Sequence, residues 1–80
     1  MDVTGPIDWR PLYVQLADTI AEQIERGDLA PGQVIPSEPY LMGTYNMSRG
    51  TVRAGLRLLR ERGLIVTQPG KGSFVVEPKR

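Results

Sequence analysis

Apolar residues recur every four positions early in the chain, at Leu12, Leu16, Ile20 and Ile24, and Tyr13, Ala17 and Ala21 widen the stripe. Asp18, Glu22, Glu25 and Arg26 occupy the opposite side. This is the pattern of a helix with one face on a core. Asp8 is its expected cap, Pro11 fits its opening turn, and Gly27 ends it. A second pattern runs over 48–63. At about 100° per residue, Val52, Gly55, Leu56 and Leu59 share one arc, and Arg49, Arg53, Arg57 and Arg60 share the next. Ser48 can cap this helix by accepting an orphan backbone N–H, and Gly63 can take the left-handed conformation that closes it.

The stretch between these helices supplies shorter elements. Residues 28–32 form a loop with a Pro-Gly turn signal. Gln33, Val34 and Ile35 predict a short strand. Ser37 is the expected cap of a helix over 38–45, where Pro39 is acceptable in the first turn. Leu41, Met42 and Tyr45 are its apolar residues, and Gly43 within it costs about 1 kcal/mol relative to Ala. Asn46 and Met47 then make a tight connection to Ser48. After Gly63 the pattern becomes β-branched, with strands over 64–68 and 73–76 around a turn at 69–72. Trp9 is expected to anchor the first helix, Tyr45 to join the core, Tyr40 to lie at the surface, and Phe74 to pack beneath the hairpin. The sum is a mainly α domain with a small β-hairpin: a winged helix-turn-helix of three helices, a short strand and a two-stranded wing over 8–77. A flexible arm over 1–7 precedes it, and a tail or linker over 78–80 follows.

Composition narrows what such a domain can do. The 80 residues contain no Cys and no His, which removes disulfides, thiolate metal sites and the usual general base. No metal ion, cofactor or catalytic residue is expected, because nothing supplies a paired acid and base in a pocket. No apolar run reaches the roughly 18 residues of a membrane helix, and the N-terminus lacks the features of a signal peptide, so a soluble cytoplasmic protein is the expectation. The net charge of +1 conceals a division along the chain. Residues 1–38 carry seven acids (Asp2, Asp8, Asp18, Glu22, Glu25, Asp28, Glu38) against Arg10 and Arg26. Residues 39–76 carry six bases (Arg49, Arg53, Arg57, Arg60, Arg62, Lys71) against Glu61 alone. Ordinary solvated helix faces mix charge signs to gain i,i+4 pairs, whereas this arginine arc is built to meet a polyanion. The glycines around Lys71 do not make a nucleotide-binding loop, which needs a following Ser/Thr and a helix where this chain has a strand.

Particular words carry a family resemblance. P-L-Y at 11–13, G-x-x-x-P-S-E at 32–38, S-R-G-T-V-R at 48–53, L-R-L-L at 56–59, R-G-L-I at 62–65 and G-K-G-S-F-V at 70–75 stand in order at the right spacing. Over about 11–76 the chain resembles the N-terminal DNA-binding domain of GntR-family bacterial transcription regulators, and the P-L-Y opening is most like the HutC-type branch. The resemblance implies sequence-specific binding of double-stranded, pseudopalindromic operator DNA by a homodimer, with repression the expected outcome. The helix over 48–62 would enter the major groove and the wing over 68–73 the minor groove. Carried over by position, Arg49 and Arg53 match base-reading arginines. Ser48, Gly50 and Thr51 match positions near the groove wall or a phosphate, and Gly70 with Lys71 matches the wing tip.

Arg57, Arg60 and Arg62 are candidates for either phosphate contact or plain solvated surface. The residue after P-S-E is commonly a DNA-contacting Arg in this family. Here it is Pro39, and Tyr40 is the hypothetical substitute. Gly55 stands where a small Ala is usual. GntR-type regulators carry an effector-binding, dimerising domain after the wing, so the homodimer would form on DNA or through such a domain. No small-molecule ligand is expected within this segment. The alternative is a winged-helix protein-interaction module that docks an acidic partner on its arginine face. The DNA-binding reading requires that Arg49 and Arg53 not be pinned inward by carboxylates.

Overall fold

The computed structural model describes residues 8–77. The expected arm over 1–7 and tail over 78–80 lie outside the described residues. Helix α1 spans Leu12–Arg26, α2 Glu38–Tyr45 and α3 Arg49–Glu61, followed by strands β1 (Ile65–Gln68) and β2 (Gly72–Val75). The two strands pair antiparallel, with Ile65 opposite Val75 and Gln68 opposite Gly72. The expected strand at 33–35 contributes a single bridge, Val34 to Phe74. Two backbone bonds flank it, from Ile35 N–H to the Ser73 carbonyl at 2.7 Å and from Val75 N–H to the Gln33 carbonyl at 2.9 Å. β2 is therefore lined by chain on both sides, and the half-buried Phe74 sits between Val34 and Val66.

Local chemistry explains the boundaries. Ser37 and Ser48 both take extended backbone, and each accepts a hydrogen bond on its side chain, from Tyr40 N–H and Thr51 N–H respectively. Each such cap is worth about 1 kcal/mol. Asn46 ends α2 in the left-handed region at φ 54°, one of the few non-glycine residues that tolerates it. Gly63 follows α3 at φ 77°, and its N–H bonds back to the Arg60 carbonyl.

The beginning of α1 departs from expectation. Its cap position is Pro11, with no side-chain cap bond, so Asp8 does not cap it. Asp8 instead accepts from Arg10 N–H, Nε and Nη2. The side-chain bond from Arg10, helped by the bond from its backbone N–H, pulls the Asp8 carboxyl down to about 2. Trp9, expected as an anchor, is 85% exposed, because it precedes the helix in a stretch that nothing described covers. Leu12 is 54% exposed. A stripe with one residue in four advances about 40° per step around the helix, so its first member lies at the edge of an arc centred on Leu16, Ala17 and Ile20.

The core joins Leu16, Ala17 and Ile20 of α1 to Leu41 of α2, to Val52, Leu56 and Leu59 of α3, and to Leu29, Ile35, Ile65 and Val75. Tyr45 packs against it, partly buried. At Gly55, α1 and α3 approach closely. A Cβ built there would stand 2.9 Å from Leu16 Cδ2 and 3.1 Å from the Tyr13 carbonyl oxygen. Close packing outweighs the helix propensity that Gly forfeits at this position. Gly55→Val is expected to cost about 2 kcal/mol through overpacking, read as a lower urea midpoint at constant m.

Candidate nucleic-acid interface

The four arginines of α3 all lie on its exposed side, while Val52, Gly55, Leu56 and Leu59 are buried. Arg49 occupies the first turn. A cation is unfavourable there by a few tenths of a kcal/mol, because the helix N-terminus carries partial positive charge. α3 has no acidic residue in that turn to offset it. Among the described residues no hydrogen bond or ion pair engages the Arg49 guanidinium. No contact among the described residues accounts for an arginine at this position. Gly50 makes a parallel case. It lies in the helix and is exposed, and a Cβ added to it would meet nothing within 4 Å, so no internal packing requires a glycine. It leaves the backbone of the first turn bare on the outer side of the helix.

Arg53 has a partner that no local sequence pattern announces. Its Nε donates to both oxygens of Glu38, at 3.2 and 3.1 Å. The pair lies on the surface, with side chains 59% and 31% exposed, so Arg53 is held from the side and not pulled into the core. The two terminal nitrogens stay clear of the carboxylate bonds. Ser48 is engaged locally: its hydroxyl caps Thr51 N–H at 3.2 Å and donates to Thr51 Oγ1 at 3.0 Å.

The wing stands beside this helix. Arg60 Nη1 donates to Thr67 Oγ1 at 3.0 Å, and Thr67 Oγ1 lies 2.8 Å from Ser73 Oγ across the hairpin. α3 is thereby braced to both wing strands. One groove is lined by Ser37 and Glu38 from the start of α2, by Leu56 and Arg60 from α3, and by Gly70 and Lys71 from the wing tip. Gly70 takes φ 77° in the turn. Arg57 is exposed and borders a neighbouring depression together with Glu38 and Arg53.

Two candidates lie elsewhere. Tyr40 is 61% exposed but lines a depression with Ile20, Gln23 and Tyr45, between α1 and α2, and not the groove beside the wing. Arg62 bonds Asp18 Oδ1 at 2.8 Å, and Asp18 also pairs with Arg10. Arg62 thus ties the end of α3 to α1. On that side Asp18, Glu22 and Glu25, with Arg10, rim a shallow depression, so three of the acids lie apart from the arginines at the start of α3, while Glu38 stands among them.

A helix-turn-helix with a hairpin wing against its second helix is the winged helix-turn-helix fold of DNA-binding domains. The chain belongs to the gntR family of bacterial regulatory proteins, whose pattern matches residues 12–75. It is 44% identical over 70 residues to the mannosyl-D-glycerate transport/metabolism system repressor MngR of Escherichia coli (strain K12), covering 88% of this chain and 29% of that protein. It is 41% identical over 69 residues to the histidine utilization repressor of Pseudomonas putida, covering 86% of this chain and 28% of that one. The chain therefore spans less than a third of these relatives. Among solved structures, the DNA-binding domain of AraR in complex with operator ORR3 superposes with a TM-score of 0.82 at 33% identity, covering 95% of this chain and 92% of that one.

Proposed function

We propose that this domain binds double-stranded operator DNA sequence-specifically and regulates transcription as a repressor in the bacterial cytoplasm. α3 lies in the major groove. Arg49 and Arg53, one turn apart, present planar forks to guanine O6 and N7. The backbone at Gly50 and the hydroxyls of Ser48 and Thr51 approach the groove wall or a phosphate. Lys71 and Gly70 reach the adjacent minor groove, and Arg57 meets phosphate. Tyr40 contributes nothing in this arrangement. Two copies bind a pseudopalindromic site, paired on DNA or through a further domain.

The observation that carries this reading is Arg49: an exposed cation at the wrong end of a helix dipole, with no partner among the described residues. AraR's DNA-binding domain in complex with operators, and relatives named as repressors, support it. A selection over random duplexes tests it. The expected result is an enriched half-site, bound with a log–log salt slope of about −0.9 per phosphate neutralised. Binding no tighter to any duplex than to the random pool would instead favour a protein-interaction module.

A further inference from the structure

We infer that Glu38 is a specificity-determining residue that positions Arg53, holding its guanidinium by the Nε edge so that the outer fork faces the base pair. The inference rests on the reading of Arg53 as a base-contacting residue. A guanidinium carries five N–H donors in one rigid plane, at the end of a long rotatable stem. Left free, such a group can satisfy itself on any nearby phosphate, and phosphate contacts carry no sequence information. Here both Glu38 oxygens accept from Nε, at 3.2 and 3.1 Å. That tethers the group at its inner edge and leaves the two terminal nitrogens, which suffice for a bidentate contact with guanine.

The clamp is itself well anchored. Glu38 is the first residue of α2, next to its Ser37 cap, with Pro39 in the same turn. The Arg53 partner is 15 residues away on the next helix, so the pair ties the fork to the helix-turn-helix angle. The carboxylate also compensates the charge of Arg53. It lowers the attraction of Arg53 for phosphate on every sequence, while a correctly placed guanine edge can still accept from the outer fork. Non-specific binding is reduced more than specific binding, which is how a carboxylate comes to stand inside a basic interface. Glu38 also has an ordinary role, as an acid favoured at a helix N-terminus, and the test separates the two.

Wild type, Glu38→Ala, Glu38→Gln, Arg53→Ala and the Glu38→Ala/Arg53→Ala double variant are titrated against three kinds of duplex. These are the duplex preferred in a random-site selection, its versions substituted at each single base pair, and random duplex. Circular dichroism and urea midpoints confirm folding. Arg53→Ala identifies the base pair that Arg53 reads. Glu38→Ala is expected to lose about tenfold in preference at that same pair, and to gain about threefold in affinity for random duplex, as Arg53 turns to phosphate. The double variant is expected to lose no more preference than Arg53→Ala alone. Glu38→Gln keeps an acceptor for Nε and is expected to retain preference within about threefold of wild type.

Three outcomes overturn the positioning role while leaving Arg53 as a reader. They are an unchanged preference in Glu38→Ala, an equal loss on preferred and random duplexes (the mark of a purely structural role), or Glu38→Gln losing base preference as fully as Glu38→Ala does. If Arg53→Ala leaves every base preference intact, the base-reading assignment itself fails, and this inference with it.

Discussion

Leu59→Ala is expected to destabilise the domain by about 3 kcal/mol, within the range for a buried leucine truncated to alanine. Leu59 is 0% exposed and sits among the largest fully buried side chains, with Leu16, Ile20 and Val52. Its removal leaves a cavity in the core cluster, and an interior with so few large residues has little left to refill it. A chain of this length has a total stability of roughly 4–12 kcal/mol, so the loss is a large fraction of the whole. Urea unfolding checks it: the midpoint should fall while m stays constant. DNA affinity should fall only as far as the folded fraction does, because Leu59 faces away from the arginine arc. An unchanged midpoint would show that the core is not organised around this residue.

The fold was legible where periodicity and caps decide it. α2 occupies 38–45, as the Ser37 cap and the turn at Asn46 predict, and α3 begins after Ser48. The division of α3 into a buried arc and a basic arc follows from residue spacing alone. The errors share one physical cause, which is that they depend on which elements meet in space. Leu12 has the right spacing but lies at the edge of the buried arc of α1. Asp8 has the right chemistry for a cap but lies one turn too early, and Arg10 claims it. The Val34 bridge to Phe74 closes a gap of 40 residues that no local pattern encodes.

The same cause limited the reading of the interface. An exposed basic arc can be seen in a sequence, but its sorting into free, braced and clamped arginines cannot. Arg60 braces the wing, and Arg62 is tied to Asp18, 44 residues away. Glu38 reads locally as a first-turn acid, and only the angle between α2 and α3 reveals its contact with Arg53. A carboxylate one helix before an arginine arc, at the position next to a Ser cap, is a signal that could have raised the question from sequence. Tyr40 follows Pro39 in sequence, but adjacency along a helix does not place two side chains on one face. One residue along a helix is about 100° of rotation, enough to leave the groove.

Arg49→Ala and Arg53→Ala are each expected to lose about 1–3 kcal/mol of discrimination at a single base pair, and the two pairs should differ. The residues are one turn apart on one face, so their forks fall over neighbouring but distinct base edges. Arg49→Ala should be clean as a stability control. It removes a cation from the positive end of a helix dipole, so the urea midpoint should hold steady or rise slightly. Arg57→Ala provides the contrast. A phosphate contact should weaken preferred and random duplexes alike and reduce the salt slope by about 1, with the base preference unaltered. The double variant Arg49→Ala/Arg53→Ala should bind its selected site little better than random duplex, since Arg57 meets phosphate and the minor groove that the wing reaches distinguishes little beyond A·T from G·C. If both single variants keep the wild-type preference at every position while Arg57→Ala loses it, sequence is read further along α3 than its first two turns, and the docking of the helix must be rotated to match.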